Sequence, residues 1–105
     1  PVQVAVLPIS EKHLEYAQSV MESLKLANIR CELDSRAESL GAKIRDAEMQ
    51  KVPYILVMGD KEIESGSVAV RTRGKKASET MTVEQFSNQI KNEVINRTNT
   101  TTTTA

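Results

Sequence analysis

The run "YILVM", Tyr54 to Met58, is apolar at every position but for one tyrosine hydroxyl, and Pro53 and Gly59 bracket it. Five such residues between two breakers form a strand, and a strand points successive side chains to opposite faces. A strand apolar on both faces must be covered on both, which places it in the middle of a sheet sandwiched by helices. The first run, "VQVAVLPI", has the same character: rich in valine and bounded by prolines.

The segments between these runs predict the covering layers. Ser10 is a candidate N-cap, after which Leu14, Ala17, Met21 and Leu24 recur at spacings of three and four, giving a helix one apolar stripe. Asn28 offers its stop. "IRCEL" alternates as a half-buried strand does, and Leu40, Ile44 and Ala47 share one face of a second helix that ends before Pro53. "GDKEIESGS" reads as a turn, "VAVRTR" as an alternating strand, "GKK" as another turn and "ASETM" as a short edge strand. Thr82 and Gln85 form a capping box ahead of Val83, Phe86, Ile90 and Val94, a last amphipathic helix. Two successive right-handed crossovers imply a parallel core of three strands extended by antiparallel ones. The expected fold is therefore α/β: a mixed five-stranded sheet with three helices, one domain over residues 1–97. The threonine-rich stretch 98–105 is expected to be a disordered tail. A start at Pro1 and Val2, without methionine, suggests a processed protein or, in preference, a domain cut from a longer chain.

Composition narrows the function classes. No apolar run approaches the roughly 20 residues that cross a bilayer, and a single cysteine excludes an internal disulfide, so a cytoplasmic setting is expected. Net charge is zero, yet it is segregated: residues 36–76 hold nine Lys and Arg against six Asp and Glu, whereas 1–35 hold three against five. Chemistry for catalysis is sparse. His13, the only histidine, reads as an exposed helix residue without a Cys or Ser nucleophile near it in sequence, and Cys31 as a small buried hydrophobe in a strand. There is no CxxC, HExxH, GxSxG or phosphate-loop pattern. Asp34, Glu38, Asp60, Glu62 and Glu64 have Arg36, Lys43 and Lys61 beside them, which favours ion pairing over metal binding. No catalytic residue, metal ligand or cofactor site is assigned to this chain.

The charged joint "LDSRAESLGAKIRDAE" and the stretch "GDKE" both follow strand ends, so the two loops are expected as neighbours on the carboxyl rim of the sheet, the usual ligand rim of α/β folds. The next strand carries Arg71 and Arg73 and starts near that rim. Guanidinium donors mixed with carboxylate acceptors suit the edges of unstacked bases, whereas a pure phosphate binder needs only cations. A solvated rim of weak ion pairs is the competing account; the basic hairpin "RTRGKK" tilts the balance toward RNA.

Residues 1–97 also resemble a known family. The pattern D-x-R-x-E-x-x-G-x-K-I-R, met by Asp34, Arg36, Glu38, Gly41, Lys43, Ile44 and Arg45, then "VPY", "GDKE" and "VAVRTR", is similar to the C-terminal anticodon-binding domain of class II aminoacyl-tRNA synthetases, the threonyl group above all. The resemblance implies a module that grips the anticodon loop of threonine tRNA. An attached class II catalytic domain, with ATP and zinc of its own, would carry out the ligation. It implies that Arg71 reads the central guanine, that Glu62 accepts from the last base, a uracil, and that Lys51 keeps a phosphate contact; Arg45, Lys43, Arg73 and Arg36 complete the expected RNA-binding set, Arg36 and Lys43 as scaffold, phosphate or rim groups rather than base readers. Relatives often have arginine at position 51 and a base-contacting asparagine at position 37. This chain has Ala37, and a lost side-chain contact to a base costs about 1–3 kcal/mol. The isolated piece is expected to be a monomer that binds without catalysing. The alternative is a freestanding relative of the domain serving as an accessory or regulatory subunit.

Overall fold

A computed structural model describes residues 2–75 and 77–103; Lys76 and the side chains of 94–103 lie outside that description. Strand β1 (Val4–Pro8) leads through a 3-10 turn, Glu11–His13, into α1 (Leu14–Leu26). Then follow β2 (Cys31–Leu33), α2 (Leu40–Met49), β3 (Tyr54–Met58), α3 (Asp60–Ser65), β4 (Ser67–Thr72), β5 (Ser78–Thr82) and α4 (Val83–Thr103). The strands form one sheet in the order β2-β1-β3-β4-β5. β1 pairs in parallel with β2 and β3, while β3 with β4 and β4 with β5 are antiparallel. The mixed five-stranded sheet is thus as expected, with "YILVM" at its centre. The helix of α4 continues along the backbone to Thr103, into the stretch expected as a tail, whose side chains are not described.

Alternation along the strands sorts the core into two layers. Val4, Val6, Tyr54, Leu56, Met58, Val68 and Val70 face α1 and α4, where Ala17, Val20, Leu24, Phe86 and Ile90 meet them. Ala5, Leu7 and Ile55 face the other way, onto Ala47 of α2, with Val57, Leu40 and Ile44 at the margin. The capping box at α4 forms as its sequence requires: Thr82 Oγ1 accepts from the Gln85 amide at 3.1 Å and Gln85 Oε1 accepts from the Thr82 amide at 3.0 Å.

Two features depart from expectation. There are four α-helices rather than three among the described residues, because "DKEIES" folds as α3 and not as a turn. Its caps explain this: Gly59 supplies an N-cap whose amide donates to Glu62 Oε1 at 2.8 Å, and Gly66, at φ 68°, closes the other end in the left-handed conformation. Second, His13 is 3% exposed rather than solvent-facing. Cys31 is half-buried, its thiol pushed up by burial.

Candidate nucleic-acid interface

The sheet has a carboxyl rim and an amino end, and the charged residues divide between them. At the rim the strand order sets the neighbours. β1 runs between β2 and β3, so its exit turn intervenes between the Asp34 loop and the Gly59 turn, which are not directly adjacent as expected. The β1 turn touches both. With the β2 loop it walls a cavity of about 160 Å³ between Ile9, Ser10 and Glu11 on one side and Ser35, Ala37 and Glu38 on the other. Toward β3, Lys12 and His13 reach Asp60. Ala37 is exposed on the wall of that cavity, its methyl group offering neither donor nor acceptor.

The β2 loop is built by its own charges. Arg36 donates from Nε and Nη2 to the two carboxylate oxygens of Asp34 at 2.8 and 2.7 Å, and from Nη2 to Asp46 at 2.7 Å. Lys43, only 5% exposed, donates its ammonium to the Asp34 carbonyl at 3.1 Å, and Ser39 caps α2 by accepting from the Ala42 amide. Arg36 and Lys43 therefore hold the loop in shape, and neither presents an unengaged cation. Their partners Asp34 and Asp46 flank them across the loop, an arrangement that a forked guanidinium stabilises better than a point charge.

Hydrogen bonding from Arg36 holds the Asp34 carboxyl below the usual carboxylate range. A carboxyl group lowered on folding adds stability above its unfolded value, near 3.8, and loses that stability as pH falls through the folded value. Asp34→Asn is accordingly expected to lower the melting temperature at pH 7, and the difference from wild type should shrink as pH falls through the folded value of Asp34. Thermal unfolding over a descending pH series checks this, and a loss of the same size at every pH would refute the linkage.

Unpaired cations gather at the other end. Arg71 lies opposite Ile55 and the Arg73 amide donates to the Pro53 carbonyl at 2.8 Å, so both sit where β3 begins. β4 does start at the rim, but with Ser67; at roughly 3.3 Å per residue Arg71 is about 13 Å farther along. The expected arginine at the rim is absent for that reason. Lys51 belongs to the same end. It closes α2 with φ 62°, its amide donating to the Glu48 carbonyl at 3.0 Å and the Val52 amide to the Ala47 carbonyl at 3.1 Å. That left-handed closure usually takes glycine, and the corresponding closure of α1 uses Asn28 at φ 61°. Among the described residues Arg45, Lys51, Arg71, Arg73 and Lys75 make none of the ion pairs, which involve Lys12, His13 and Arg36.

Arg71 alternates with the core valines Val68 and Val70, so it projects from the face that α2 covers only in part. Around it that face carries Ala69, Ser78 and Thr80, all small and none fully buried. The result is a shallow, low-relief platform beside unpaired guanidinium groups. Glu62 stands at the far end of the β3 and β4 pair, in the first turn of α3, half-buried, one of its carboxylate oxygens engaged with Gly59. The site residues read from sequence thus form a rim group, Arg36, Ala37, Lys43 and Glu62, and an amino-end group, Lys51, Arg71 and Arg73, with Arg45 exposed on α2. His13 and Asp60 were not among them; "DKEIES" between Gly59 and Gly66 was a capping signal that would have revealed α3.

Comparison with known proteins bears on both groups. Residues 3–93 match the family described as the anticodon binding domain. A threonine–tRNA ligase of Sulfurihydrogenibium sp. is 52% identical over 97 residues, 92% of this chain and 15% of that protein. Another, from Halalkalibacterium halodurans, is 55% identical over 87 residues, 82% of this chain and 14% of that protein. The chain thus spans about one seventh of these relatives. Among solved structures, the RNA binding domain of threonyl-tRNA synthetase from Cryptosporidium parvum superposes with a TM-score of 0.84 at 32% identity, covering 88% of this chain and 23% of that one. Prolyl-tRNA synthetase of the same organism gives 0.81 at 25% identity, over 91% and 21%.

Proposed function

This chain belongs to the family of anticodon-binding domains, and from that premise we propose that it grips the anticodon stem-loop of threonine tRNA for a longer threonine–tRNA ligase acting in cytoplasmic translation. Its role is recognition: an attached class II catalytic domain, using ATP, joins threonine to the tRNA, and this piece alone is a monomer without catalysis. The observation that carries the reading is the set of unpaired cations, Lys51, Arg71 and Arg73, beside a low platform, with Glu62 in the first turn of α3 at the far end of the same β3 and β4 pair. A loop laid along β3 and β4 meets donors at one end and an acceptor at the other. Arg71 donates two hydrogen bonds to O6 and N7 of the central guanine, Glu62 accepts from the last base, and Lys51, Arg45 and Arg73 meet phosphates. Arg36 and Lys43 contribute by holding the loop that carries Ala37.

Arg71→Ala tests this directly. At fixed salt its affinity for the threonine tRNA anticodon stem-loop is expected to fall by about 1–3 kcal/mol, with discrimination at the central guanine lost. A wild-type chain that binds equally well after that guanine is replaced refutes base reading by Arg71.

A further inference from the structure

His13, the one histidine in the sequence, is buried, and its two ring nitrogens have different partners. Nδ1 lies 3.1 Å from the Ser10 amide, which can only donate, so Nδ1 accepts. The Ser10 hydroxyl lies 3.0 Å from the same nitrogen. The ring proton of the neutral imidazole therefore sits on Nε2, which donates to Asp60 Oδ1 at 2.8 Å. Asp60 is the first residue of α3, and its carboxyl is held below the usual range, first by this bond and then by Lys12 at 3.3 Å. Two further ties join the same pieces. The Ile9 amide donates to the Met58 carbonyl at 3.0 Å, and Ile9 Cδ1 lies so close over Gly59 that a Cβ there would come within 2.5 Å of it. The β1 turn thus clasps the Gly59–Glu62 turn from one side, and the Gly59 amide clasps the Glu62 carboxylate from within.

We propose that His13 is a positioning residue for anticodon reading: by holding Asp60 it fixes the first turn of α3, and with it the direction in which Glu62 offers its second oxygen to the last base. The inference rests on the reading of Glu62 given above and extends it to a residue that touches no RNA. A carboxylate with two rotatable bonds beyond Cβ discriminates between bases only if its carrier is fixed, and α3, six residues long, has too few internal hydrogen bonds to fix itself.

The two ring nitrogens allow separation of this role from simple support. Gln at position 13 places an amide donor near the Nε2 site and keeps the bond to Asp60, whereas Asn places an acceptor near the Nδ1 site and keeps only the Ser10 contact. In His13→Ala and His13→Asn, the ratio of affinities for stem-loops differing only in the last anticodon base is expected to fall at least about fivefold, and in His13→Gln to return. The ratio at the central guanine should stay unchanged throughout. Asp60→Ala, at an exposed carboxylate, should reproduce the loss in a folded chain. Hydrogen exchange at the Gly59 amide supplies an RNA-independent readout: it should quicken in His13→Ala, His13→Asn and Asp60→Ala and recover in His13→Gln. Rescue by Asn instead of Gln, or losses shared by every stem-loop, overturns the proposal, as does unchanged Gly59 exchange in His13→Ala. A wild-type chain indifferent to the last base overturns the reading of Glu62 and the specificity role with it, while Gly59 exchange still decides whether His13 holds the turn.

Discussion

Phe86→Ala is expected to lower the unfolding free energy by about 3–5 kcal/mol. Phe86 is the chain's sole phenylalanine, 0% exposed, and meets the Tyr54 ring edge-on at 5.4 Å and 79°. Its ring fastens α4 to the central strand, and apart from Tyr54 the other buried side chains of that core layer are aliphatic. Domains of this size have only about 5–15 kcal/mol of stability, so the variant should be close to unfolding at physiological temperature. Urea denaturation reads the change as a lower midpoint at similar slope. Leu26→Ala, at a position 88% exposed, is the control and should differ little from wild type. A loss below about 1 kcal/mol for Phe86→Ala would show that α4 does not belong to the cooperative core.

Lys43→Ala is expected to cost about 1.5–3 kcal/mol of stability, the value of a hydrogen bond to a charged donor, without altering the salt dependence of RNA binding. The ammonium is buried and directed at the Asp34 carbonyl, so it has no phosphate to neutralise. Lys51→Ala should do the reverse: binding weakens for every stem-loop sequence and the slope of log affinity against log salt falls by roughly one. Denaturation curves and binding titrations at several salt concentrations decide the matter. If Lys43→Ala flattens the salt slope and leaves stability intact, the assignment of that lysine to the loop's interior fails.

The contrast between those lysines marks where sequence reasoning stops. Strands and the longer helices were legible because "YILVM", the Leu14–Leu24 stripe and the Thr82–Gln85 box state their structure within a few neighbouring residues. Charge segregation and the "VAVRTR" and "GDKE" motifs likewise pointed to RNA. α3 escaped because six residues are too few for a helical period to be seen, although its glycine caps were present. Direction was the other gap. Placing Arg71 at the amino end requires the register of β4 on β3, and seating His13 under the rim requires Asp60, 47 residues away. Arg36 and Lys43 looked alike as loop cations, and only the bonds between α2 and the loop after β2 show that both are engaged there.

The left-handed Lys51 also sets a conflict between durability and purpose. Glycine is the residue that a stabilising redesign would place there first, because it takes the left-handed conformation without steric cost. On the proposed reading the same exchange deletes a cation from the end of the domain that meets RNA. Adaptation to heat and retention of RNA therefore pull this one position in opposite directions, and a hardier descendant of the chain would have to find its extra stability elsewhere.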